Sequence, residues 1–242
     1  MYRALDADKI IATIDLLQRR IQERFPRLDL AAVAGDLSAA ARDTRERAAA
    51  LAKQRSVFNV LPYLFLVACF VSVFTLPYLL DIEFRNREGG ELIQTLEALL
   101  NVVVFGGIAL VYLFTLHGRW RRGRALMALH ELRSLVHVID MHQLTKDPSL
   151  ALGEERERDT AASPKRVMTA FELGRYLDYC SEMLSLTGKV AALYAQELDD
   201  PVVVEAVNDI EMLATNLSRK VWQKIAILQA ALGQMQIRAL SE

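Results

Sequence analysis

Six residues in one stretch, His130, Glu131, His137, Asp140, Met141 and His142, carry side chains suited to metal binding or proton transfer. On a helix, His137 and Asp140 are three apart and His137 and Met141 four apart, so each pair shares a face. His130 stands two turns earlier, about 10.5 Å along the axis. One ion therefore cannot touch both histidines without a ligand from elsewhere, such as Glu172, Asp178, Glu182 or another protomer. The sharper expectation is a metal-dependent enzyme built on His130, His137, Asp140 and His142. The plainer one is a bundle face whose polar groups satisfy one another, and the residue pattern favours it. No Gly-rich phosphate loop, HExxH, GxSxG elbow or paired-cysteine knuckle occurs in the chain. An enzyme is thus unsupported, and neither cofactor nor catalytic residue is assigned.

The elements that would position these residues are dominated by two uncharged runs. The chain holds 29 Lys and Arg against 30 Asp and Glu, a near-neutral balance that argues against a general nucleic-acid binder. Cys69 and Cys180 lie far apart and predict buried thiols, with no disulfide framework. The opening "MYRALDADKI" does not fit a cleaved secretory signal, so a membrane signal is expected to be internal. Residues 57–80 and 98–116 are free of charge over about 24 and about 19 positions, each long enough to cross a bilayer. Leu, Val and Phe dominate the first, and together they favour insertion by an upper sum of about 5 to 9 kcal/mol. The competing reading is a pair of buried helices in a soluble protein, which rarely stay fully apolar for so long.

Basic residues near the runs set an orientation. Arg42, Arg45, Arg47, Lys53 and Arg55 precede the first, and Arg119, Arg121, Arg122 and Arg124 follow the second, while Arg85 and Arg87 lie between. The expectation is a hairpin in a bacterial-type inner or plasma membrane, with both ends cytoplasmic and an external loop at 81–97. Tyr63, Tyr78, Tyr112 and Trp120 sit at the expected interfaces, and Arg119, Trp120, Arg121, Arg122 and Arg124 are the candidate contacts to lipid headgroups. Within the spans, Ala68 and Ser72 form a small-residue face, Gly106 and Gly107 a shallow patch, and Asn101 an amide needing a partner. These five residues predict helix packing in the membrane.

The remaining segments read as helices. Residues 1–56 predict two, the first placing Ile10, Ile14, Leu17, Ile21 and Phe25 on one side before Pro26. Residues 117–147 predict a juxtamembrane helix, and 148–164 a linker rich in charge with proline at each end. Ser163–Pro164 and Asp200–Pro201 are start signals for a helical pair over 165–242. The last helix carries Val207, Ile210, Ala214, Leu217, Val221 and Leu228, a seam suited to an antiparallel bundle or to a coiled coil between protomers. The expected fold is all-α: a two-span transmembrane hairpin with N-terminal helices and a C-terminal cytoplasmic bundle or coiled coil.

In layout, two spans with short flanking helices, the chain resembles small membrane effectors of bacterial defence operons, and that resemblance implies an oligomeric pore gated by the bundle. "MHQLTKDP" attaches to no named family. The leading expectation is a non-enzymatic membrane scaffold or signalling module that forms homo-oligomers and can recruit a cytoplasmic protein through its helices.

Overall fold

The computed structural model describes residues 4–79, 89–148 and 168–241, with only the backbone described at many positions between 52 and 113, at 236 and at 238–241. The described residues form five helices and no strand: α1 (Ala7–Arg24), α2 (Leu30–Leu79), α3 (Gly89–Leu144), α4 (Ala170–Glu197) and α5 (Pro201–Ser241). The chain divides into two compact units, Met1–Ala49 with Ala125–Glu242, and Ala50–Arg124. We call the first the bundle unit.

In the bundle unit, α1 begins where the Asp6 carboxylate accepts from the amides of Asp8 and Lys9. It ends before Pro26, whose ring cannot continue the ladder. Ile10, Ile14, Leu17 and Ile21 fall at helical spacing and are buried. On α2, Leu30, Ala34, Leu37 and Ala41 bury the matching stripe, the alanines permitting close approach. Asp15 joins the two helices, accepting from Ser38 Oγ at 2.5 Å and Arg42 Nη2 at 2.7 Å. Arg45 pairs with Asp8 in the same seam. Such exposed pairs are worth no more than about 1 kcal/mol each, so the apolar stripes set the packing.

α4 is the central helix, with α1 and α5 packed on it. Leu177, Cys180, Met183, Leu184, Val190, Ala191 and Tyr194 are buried along its length. Phe25 meets Tyr176 and Tyr179 edge-on at 5.7 and 6.2 Å between ring centroids, the geometry that ring quadrupoles favour. The α4 start predicted at Ser163–Pro164 lies outside the described residues. The described helix instead opens at Thr169, whose hydroxyl accepts from the Glu172 amide while the Glu172 carboxylate accepts from the Thr169 amide.

These bonds, the backbone one first, hold the Glu172 carboxyl below the usual carboxylate range. Because the folded value is the lower one, this contribution to stability is present above that range and is lost as acid protonates the group. Protection factors at the first amides of α4, taken relative to the intrinsic exchange rate at each pH, are expected to fall on acidification, and to be low already at neutral pH in Glu172→Ala.

The second start signal is found where expected: Pro201 opens α5, and Asp200 Oδ1 accepts from the amides of Val202 and Val203. The turn at 198–200 reverses the chain. Leu228 consequently lies against the beginning of α4, 3.7 Å from where a Cβ on Gly174 would sit. Val207, Ile210, Ala214, Leu217, Val221 and Leu228 are all buried within the one chain.

Three boundaries also differ from expectation. Residues 30–56 and the apolar run after them are one helix, with no break at 56/57. Residues 89–97, expected in an external loop, are helical, while 81–88 lie outside the described residues, as does nearly all of the 148–164 linker. Finally, the segment before the first apolar run belongs to the same unit as α4 and α5. The bundle thus has five helical segments where three were expected.

Candidate functional site

The proposed metal ligands are not gathered. Leu129, Leu132, Val136 and Ile139 turn one face of α3 into the core, leaving His130 and His137 exposed on other faces. Glu131 accepts from Arg47 at 3.1 Å, and the His142 carbonyl accepts from the Tyr176 hydroxyl at 3.3 Å. Asp140 accepts from Gln143 Nε2 at 2.5 Å, and Gln143 in turn receives the Lys224 ammonium on both its side-chain and main-chain oxygens at 2.8 Å. Among the described residues, no cluster of three or more His, Cys, Asp or Glu side chains could hold a metal.

Sequence reasoning missed the role of Lys224. Its ammonium closes the C-terminal end of α3, where unpaired carbonyls and the helix dipole attract a cation. Burial lowers the Lys224 pKa, and Asp147 and Asp140 oppose that effect. Nearby, burial pushes the Cys180 thiol up to about 12. It should be inert while the bundle is closed. In a Cys69→Ser background, maleimide labelling of Cys180 at neutral pH is expected to be negligible in the native protein and complete in denaturant.

A cleft of about 610 Å³ opens beside the start of α4, lined by arginines and rings that include Arg20, Arg24, Phe171, Arg175 and Tyr179. The Arg20 and Arg175 guanidinium groups lie 5.2 and 5.5 Å from the Tyr179 ring centroid. They are held by Glu182 and Asp178, each at 3.1 Å. Most of the cleft's charge is therefore balanced internally.

The second unit has the most unusual surface. Within α3, one segment is long and apolar enough to cross a membrane, and none of its most apolar stretch is buried. Val102, Val103, Val104 and Phe105 are consecutive, each at least 47 % exposed. Successive residues are about 100° apart on a helix, so these four span the whole circumference. A soluble core helix hides at least one face. This one hides none of the four.

The predicted packing residues fall differently. A Cβ on Gly106 would come within 2.4 Å of the Phe65 ring, so this glycine seats an α2 side chain. Gly107 has nothing within 4 Å, and Ala68 and Asn101 are exposed. The Ser72 side chain lies outside the described residues. Thr75 and Thr115 return their hydroxyls to the carbonyls of Val71 and Val111 at 2.8 Å, so neither hydroxyl is left unmet beside the apolar surface. Gly106→Leu should separate α2 from α3 and lower the melting temperature of the detergent-solubilised protein. A second change, Phe65→Ala, should restore part of the loss.

The basic turn is exposed as well. Arg119 and Arg124 lie on the surface, and Trp120 is 45 % exposed with the Arg124 guanidinium 4.7 Å from its ring centroid. Arg121 and Arg122 are partly covered. The chain matches no protein-family model, no curated protein and no solved structure.

Proposed function

We propose that the chain is a non-enzymatic, two-span membrane protein that holds its helical bundle at the cytoplasmic face as a scaffold or signalling module. The observation that carries this reading is the α3 apolar surface, on which the consecutive residues Val102, Val103, Val104 and Phe105 are each at least 47 % exposed. Each aliphatic side chain left half in water forgoes roughly 1 kcal/mol of burial, and lipid supplies that burial all round. The run at 57–80 is the first span. The basic flanks place both termini in the cytoplasm.

Two further features support a scaffold. The bundle unit buries its own core, the α5 seam included, and leaves its outer faces free for a partner's surface to meet. Gly107, open on its outer side, and the exposed Asn101 amide offer contacts to a second hairpin, so homo-oligomerisation belongs to the proposal. A cytoplasmic protein would be recruited by the outer faces of the bundle.

Alkaline extraction of membranes, followed by protease mapping of tagged termini, tests the reading. Retention in the pellet with both tags on the cytoplasmic side is expected. Recovery in the supernatant, or tags on opposite sides, would overturn it. Vesicles carrying the purified protein should also retain a trapped dye; leakage would favour a pore.

A further inference from the structure

We propose that the turn of α3 from Arg119 to Arg124 is a collar that gathers anionic phospholipid headgroups. This inference rests on the membrane reading above and adds the lipid class that the chain selects.

The first argument is angular. On a helix of about 100° per residue, Arg119, Arg121, Arg122 and Arg124 fall near 0°, 200°, 300° and 140°. Cations in these directions leave no face wider than about 140° without one. A protein partner docks on one face of a helix. A layer that surrounds the helix, as headgroups do, reaches the exposed Arg119 and Arg124, about 140° apart, and the uncovered parts of Arg121 and Arg122.

Position along the axis agrees. Leu116 ends the apolar run, and Arg119 and Arg122 follow about 4.5 and 9 Å further on. The headgroup layer is roughly 5 to 8 Å thick on each side of the hydrocarbon, and the long arginine stem lets the more distant guanidinium groups reach back to it.

The chemistry selects anions. Between Glu97 and Glu131 the sequence contains no carboxylate. Trp120, an interfacial residue by preference, lies beside the exposed Arg124 guanidinium, whose fixed fork of N–H donors matches phosphate oxygens. Zwitterionic lipid also carries phosphate, but its ammonium cancels the long-range attraction. An anionic headgroup keeps it, and each nearby cation favours such a neighbour by roughly fivefold.

The full chain with Trp222→Phe leaves Trp120 as the single tryptophan, because the sequence has two. It is reconstituted in vesicles of phosphatidylcholine with a minority of phosphatidylglycerol, with acyl bromines on one lipid or the other. Per mole, brominated phosphatidylglycerol is expected to quench Trp120 about fivefold more than brominated phosphatidylcholine. The excess should fall in high salt and in Arg119→Gln/Arg124→Gln, and persist in Arg119→Lys/Arg124→Lys. Equal quenching by both lipids overturns the collar while leaving the membrane reading intact. An excess that survives the glutamine variant undiminished also overturns it. Quenching by neither lipid removes Trp120 from the bilayer and overturns both readings.

Discussion

Replacing Phe105 and Ile108 together with lysine is expected to keep the α3 run out of the bilayer, so that a C-terminal tag changes sides in protease mapping while the run at 57–80 still holds the chain in the membrane pellet. Both side chains are more than 60 % exposed, so the change removes little packing within the chain. In water, two added charges on an exposed surface would raise solubility and leave the fold alone. In lipid, each lysine near a helix centre opposes insertion by about 2.5 to 3.5 kcal/mol, and the lost Phe and Ile contributions bring the total to roughly 6 to 8 kcal/mol. That is comparable with the whole driving force for one apolar run. The two environments thus predict opposite results for one variant. A Phe105→Lys/Ile108→Lys protein whose C-terminal tag stays on the cytoplasmic side would refute the transmembrane reading of α3.

The second large effect concerns the bundle. Val221 is fully buried and Leu217 is 5 % exposed, both on the α5 face packed within the chain. An aspartate at either position must be buried as a lone charge or force the helix away. Either outcome costs several kcal/mol, a large part of the 5 to 15 kcal/mol by which a domain is stable. Val221→Asp should therefore abolish the cooperative helix melt and open Cys180 to maleimide. Ile227→Asp is the control, because Ile227 is 58 % exposed on the outer face of the same helix. A seam between protomers would instead leave a folded monomer carrying Val221→Asp. A native melt from that variant would count against the intramolecular packing.

The residues that were legible in advance had local causes. Ile10, Ile14, Leu17 and Ile21 are the buried stripe of α1 because spacing alone places them on one face. Asp200 and Pro201 begin α5 because a cap and a fixed φ act over one turn. The true start of α4 was written in the same language, Thr169 followed three residues later by Glu172, but the earlier Ser163–Pro164 signal drew the reading away from it.

Other features needed contacts between distant segments. Asp140 has the chemistry of a metal ligand, but it accepts from its α3 neighbour Gln143, and Lys224 of α5 binds that glutamine in turn. The α5 seam announced an apolar stripe without naming its partner, since any facing stripe of the right period would satisfy it.

The amino-acid order alone determined the all-helical character and the one long apolar segment of α3, because propensity, capping and hydropathy act over a few neighbouring residues. Tertiary structure decided what covers each apolar face. It put α4 on the α5 seam and left Val102, Val103, Val104 and Phe105 each at least 47 % exposed, and burial is a property of the surroundings that no single helix carries.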